Sequence, residues 1–186
     1  MLTLRQIERL WQLRAYPRLI DELCTGRAEA VGGIRQLVQG PLAAAALTVI
    51  RLSELCQGNH PRVAAMVRYI CAGRNADGGF GSAVTTALCL RALAGDRGTG
   101  PVVDGALAHL AQLQREDGEW PREANNRFPG DPAVTAFVLL QLAESRVPAA
   151  RALINSTMDR LCDDLPADGQ LQTLRRRVAN RIPAAA

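Results

Sequence analysis

Lysine is missing from this chain: all 22 basic residues are arginine. With abundant alanine and glycine, that points to codon bias in a GC-rich bacterial gene, so the formal net charge of +4 and the pI near 9.1 say little about an anionic partner. A nucleic-acid face needs clustered charge rather than a modest excess, and no nucleic-acid partner is expected. Aromatic residues make up only 4% and Val-Ile-Thr runs are short, which argues against a sheet. The five cysteines, at 24, 56, 71, 89 and 162, contain no Cys-x-x-Cys pair. They lie in apolar helical stretches, where a free thiol behaves as a small hydrophobe, and they fit a reducing cytoplasm. The longest apolar run, Leu42 to Ile50, falls far short of the about 20 residues that cross a bilayer. The opening MLTLRQIERLW puts arginine and glutamate where a signal peptide needs an apolar core. A cytoplasmic protein without a transmembrane segment is expected. No zinc-peptidase helix, phosphate-binding glycine loop, nucleophile elbow or dinucleotide fingerprint occurs in the sequence, so no cofactor or metal is expected.

What the chain does have is a duplication. RNADGGFG leads into AVTTALCLRAL, Arg74 to Leu93, and QREDGEWP leads, after an insertion, into AVTAFVLLQL, Gln114 to Leu142. Asp77, Gly78 and Phe80 match Asp117, Gly118 and Trp120 at a spacing of about 40 residues, the length of one helical hairpin in a repeat array. Length and a 48% hydrophobic content allow one domain over residues 1–186 with a full core, and the dominance of alanine and leucine makes it all-α.

From about residue 41 two helix types alternate. Pro41 to Cys56, Ala83 to Leu93 and Pro132 to Leu142 are apolar nearly all round, as buried helices are. Between them run one-sided helices, one starting at Asn59-His60-Pro61 and carrying Val63, Met66, Val67 and Ile70, the other carrying Val103, Leu107 and Leu110. Pro148 to Leu165 continues the pattern through Leu153, Thr157, Met158 and Leu161, and Ala167-Asp168-Gly169 restates the turn without its aromatic. Leu171 to Ile182, with Arg175, Arg176 and Arg177, would end the array as a solvated capping helix. The repeat-bearing part spans about 41–182. Residues 1–40 form a separate helical segment with stripes at Leu4, Ile7 and Trp11 and at Leu19, Ile20 and Leu23.

Gln114-x-x-x-Gly118-x-Trp120 resembles the QW motif of triterpene cyclases, and Asn75 to Gly81 (NADGGFG) is similar to the repeat of protein prenyltransferase β subunits. That resemblance implies an α/α-toroid, here partial or small, with apolar inner and amphipathic outer helices. It also implies a clamp in which Gln114 caps a helix end and the Trp120 indole stacks on the turn. The chain departs from both families where they do chemistry. Asp163-Asp164 stands without the rest of an Asp-x-Asp-Asp acid motif, and Asp21 and Cys24 are one residue too far apart for the Asp-x-Cys zinc pair. The expected protein is a toroid-like scaffold that binds a protein partner or an apolar, isoprenoid-like ligand without catalysis. The alternative is an enzyme or accessory subunit of isoprenoid or terpenoid metabolism. A half-length array would leave inner helices uncovered, so a homo-oligomer is expected.

The candidate binding residues are Trp120, Arg122, Arg127, Phe128 and Asp131, in or beside the insertion Pro121 to Pro132, together with Asp77 and Phe80. Insertions in repeat arrays collect on the binding face. Competing structural roles are plain: aspartate before glycine bonds its own turn, and an aromatic after a tight turn plugs the gap between hairpins. His109, mid-helix and with no acid nearby in sequence, reads as a surface or boundary residue rather than a general base.

Overall fold

The computed structural model describes residues 38–124 and 129–162. It is all-α, with six helices: α1 (Pro41–Glu54), α2 (Pro61–Ala72), α3 (Ala83–Leu93), α4 (Gly100–Leu113), α5 (Pro132–Glu144) and α6 (Pro148–Cys162), plus one 3-10 turn at Arg97–Thr99. The stops follow from local chemistry. His60 caps α2 with its ring Nδ1, which accepts the Arg62 N–H at 3.2 Å, and Pro61 occupies the first turn. Ser82 caps α3 through Thr85 N–H, and Asp131 caps α5 through Ala133 and Val134 N–H.

Helices α1, α3 and α5 lie side by side, α1 on α3 and α3 on α5. A second layer covers them: α2 packs on α1, α4 on α3, α6 on α5, and α4 on α6. The central α3 is buried at every residue but Arg91, and α5 is buried from Val134 to Leu139 and again at Gln141, Leu142 and Ala143. Both match the all-round apolarity of their sequences. The first inner helix differs. Only Ala43, Ala46, Val49 and Ile50 of α1 are buried, while Leu47 and, just past its end, Leu55 stand in solvent. Among the described helices α1 has an inner-layer neighbour, α3, on one flank only, so an apolar sequence does not bring all-round burial there.

Outer helices bury one stripe each. Val63, Val67 and Ile70 do so on α2, Val103, Leu107 and Leu110 on α4, and Ile154, Thr157, Met158 and Leu161 on α6. At the C-terminal ends of the inner helices one guanidinium ties all three together. Arg91 of α3 donates to Gln141 Oε1 of α5 at 3.0 Å and to Glu54 Oε1 of α1 at 2.9 Å, and lies 3.9 Å from Glu144. Cys89 is buried and Cys71 half-buried, as small apolar residues are, but Cys56 lies exposed beyond α1.

Candidate functional site

The two Asp-Gly turns sit at the end of the array where α3 and α5 begin, and they are built bond for bond alike. Asn75 N–H donates to Gly79 O and Arg115 N–H to Glu119 O. Gly78 N–H donates back to Asn75 O and Gly118 N–H to Arg115 O. The aspartates close the tips: Asp77 Oδ1 accepts Gly79 N–H at 2.9 Å, and Asp117 Oδ1 accepts Glu119 N–H at 3.0 Å. Gly78 and Gly118 take φ of 87° and 84°, which glycine adopts without a Cβ penalty. A side chain would also collide there. A Cβ on Gly78 would stand 2.8 Å from the Gly105 carbonyl oxygen of α4, and one on Gly118 would stand 2.9 Å from Arg160 Cβ and 3.2 Å from Thr157 O of α6. Each turn therefore rests its backbone on the outer helix that follows.

Past each tip the aromatic turns inward. The backbone N–H of Phe80 donates to Thr86 Oγ1, and that of Trp120 to Thr135 Oγ1, both at 3.0 Å. These threonines correct the sequence register. Aligning the two Ala-Val-Thr runs in sequence pairs Thr85 with Thr135, but the caps pair Ser82 with Asp131, so Thr86 and not Thr85 is the partner of Thr135. Trp120 is fully buried and Phe80 nearly so, which assigns both rings to packing rather than to ligand contact. The clamp residues also exchange the roles that the resemblance implied. The Trp120 indole N–H donates to Leu110 O in the last turn of α4 at 2.8 Å. Gln114 binds the turn at Gly118 O (3.0 Å) and α6 at Thr157 Oγ1 (2.6 Å), while Arg160 donates to its Oε1 at 3.3 Å.

The candidate residues thus divide between two turns at the same end of the array. At the second, the insertion is pinched shut at its base. Pro121 bridges Gly130, Asp131 N–H donates to Trp120 O at 2.9 Å, and Arg122 Nε donates to Asp131 Oδ2 at 3.1 Å. Asp131 is therefore committed twice, to the α5 cap and to Arg122, and Arg122 is exposed. Glu119 is buried beside Gly130. Arg127 and Phe128 lie outside the described residues.

At the first turn the structure brings in a residue that sequence spacing did not. His109 is buried on α4 with its Nδ1 3.6 Å from Asp77 Oδ2. Its Nε2 has no hydrogen-bond partner among the described residues, and Gly79 lies so close over the ring that a Cβ there would overlap it. The acid that was missing in sequence arrives through the fold, because the turn of one hairpin rests on the outer helix of the next. No group of three or more His, Cys, Asp or Glu placed to hold a metal occurs among the described residues, and no helix among them is long and apolar enough to cross a membrane. Comparison with protein-family models, with curated proteins and with solved structures returns no match.

Proposed function

We propose that this protein is a toroid-like helical scaffold that binds a protein partner or an apolar small molecule without catalysing a reaction, and that the inserted loop after Trp120 is its recognition element. One observation carries the reading. The two turns share both backbone bonds of their tips, yet the first passes from Phe80 to Ser82 through Gly81 alone, while the second opens between Trp120 and Asp131 into a loop clamped at its root. A variable loop on a rigid base is how repeat scaffolds present a binding surface.

The test is a loop-shortened variant in which Gly alone joins Trp120 to Asp131, as in the first turn, with Arg127→Ala/Phe128→Ala alongside. Native mass spectrometry of protein purified without detergent reads bound apolar ligand, and cross-linked affinity purification reads protein partners. Both variants are expected to lose the bound species while their melting temperature stays near that of the full chain. An unchanged set of bound species in the shortened protein would rule the loop out.

A second reading rests on the Gln114–Trp120 clamp, whose spacing resembles that of terpenoid cyclases: an accessory subunit supplying part of an isoprenoid cavity. It rests on analogy of scaffold. An isoprenoid retained by the native protein would favour it, and retention by the loop-shortened variant as well would favour it over the loop reading.

A further inference from the structure

Each Asp-Gly turn needs a seat, and the described outer helices offer one seat more than the described turns fill. The first turn sits on α4 at Gly105 and His109, and the second on α6 at Thr157, Arg160 and Leu161. Counting back from the turns, the positions of α2 that correspond to Gly105 and His109 are Ala65 and Tyr69. The register is supported by burial, since Val63, Val67 and Ile70 then match Val103, Leu107 and Leu110. Ala65 and Tyr69 are uncovered: Ala65 is exposed, Tyr69 is 49% exposed, and Ala64, Arg68 and Ala72 beside them are exposed too. Among the described residues no turn fills this seat, and the sequence before α1 carries no Asp-Gly tip. Gly40 stands at the N-cap position of α1, without a side-chain bond, where Ser82 stands on α3, so in sequence Val38 aligns with Phe80 and Arg35-Gln36 with Asp77-Gly78.

The chain does contain a third copy of the tip, at Asp168-Gly169, beyond the described residues. Pro166 stands where Asn75 and Arg115 donate an N–H, but both bonds that make the tip remain possible: Gly169 N–H to the Pro166 carbonyl, and Gln170 N–H to the Asp168 carboxylate. We infer that the Ala65–Tyr69 face of α2 is a docking surface for a second copy of this chain, which seats its Asp168-Gly169 turn there as the first turn seats on Gly105–His109. The small side chain at Ala65 admits a glycine backbone, and Tyr69 supplies an apolar floor where His109 lies beneath Gly79.

The same chain is badly placed to fill its own seat. The seat on α4 receives the turn from the α2 side, so the equivalent face of α2 looks away from α4. The third copy of the tip comes after α6 in sequence, and α6 packs on α5 and α4, at the other end of the outer layer from α2. Contact between copies is then head to tail, a heterologous interface that continues past a dimer into rings or filaments. This inference does not depend on what the inserted loop binds.

The test uses the full chain and two variants. Ala65→Arg blocks the seat at an exposed helical position that arginine suits, and Gly169→Val blocks the turn by denying the positive φ seen at Gly78 and Gly118. Light scattering of the unaltered chain at up to about 100 μM, a range that reaches weak interfaces of modest size, is expected to show mass rising with concentration beyond a dimer. Each variant alone is expected to stay monomeric with unchanged helical content. Their equal mixture is expected to stop at a dimer, because only one intact turn and one intact seat can meet. A monomeric unaltered chain, assembly that survives Ala65→Arg, or a mixture that fails to dimerise would each overturn the inference. So would an Ala65→Arg protein of unchanged mass but lowered melting temperature, which would place the occupant in the same chain.

Discussion

Thr86 and Thr135 occupy the same place in successive repeats: each hydroxyl accepts the main-chain N–H of the aromatic residue that closes the preceding turn, at 3.0 Å in both. Thr135 also returns its own proton to the Asp131 carbonyl at 2.9 Å. This bond locks turn to helix, and it sets the register in which the aromatic enters the core.

Replacing either threonine with valine keeps the shape and orphans a buried N–H, which costs about 1–3 kcal/mol. Thr135→Val and Thr86→Val are both expected to lower stability by that amount in urea unfolding, and Thr→Ser is expected to recover most of it. Thr85→Val, one residue from Thr86, is expected to cost less, since its loss touches only the half-exposed contact with Ser82. Equal costs at 85 and 86 would refute the register.

Gly78→Ala and Gly118→Ala put a Cβ both at positive φ and against a neighbouring helix. Each is expected to destabilise by more than about 1 kcal/mol, the scale of the backbone effect alone. Gly95→Ala meets nothing within 4 Å and serves as the control. If all three variants melt together, turn seating contributes nothing.

His109 carries a buried Nε2 beneath Gly79 that has no partner among the described residues. A polar atom held so costs more than the long contact with the half-exposed Asp77 returns. His109→Leu is therefore expected to stabilise the protein by about 1 kcal/mol, in the range typical of repaired polar burial. A clear loss of melting temperature would show that the Asp77 contact holds the first turn in place.

Burial, reinforced by the neighbouring Cys71 thiol, pushes the Cys89 thiol up to about 12. The unfolded thiol ionises near its ordinary value of 9.0, so above that pH the unfolded state sheds a proton the folded state keeps. Stability from this group is complete below about pH 9 and is lost as pH climbs towards 12, with a limiting slope of about 1.4 kcal/mol per pH unit. Cys89→Ala is expected to flatten that alkaline decline. At pH 8 iodoacetamide is expected to label exposed Cys56 and spare Cys89 until the protein unfolds; labelling of both at one rate would contradict the burial.

Much of the fold was legible because its determinants are short-range. Ala83–Leu93 was bounded to the residue, since Ser82 precedes an apolar run that fills a buried helix on all sides. The clamp was legible as a pattern and misread as a geometry: Gln114 and Trp120 stood out, yet which of them caps α4 depends on where α6 passes. The candidate site was less legible. Trp120 and Phe80 attracted attention as aromatics and are core, whereas His109, which reads in sequence as a surface or boundary residue, and Glu119 are buried, because burial of a lone polar residue has no signature along the chain.

Sequence alone determined where this chain turns and where its helices begin, because an aspartate bonding the N–H two residues on, or a serine capping a helix three residues on, needs no other part of the molecule. Only the tertiary structure decided which threonine meets which aromatic, that Asp77 reaches His109, that Arg91 ties three helices together and that α1 leaves Leu47 in solvent. Those contacts join residues remote in the chain, and their geometry is set by how neighbouring helices pack rather than by any local preference of the residues involved.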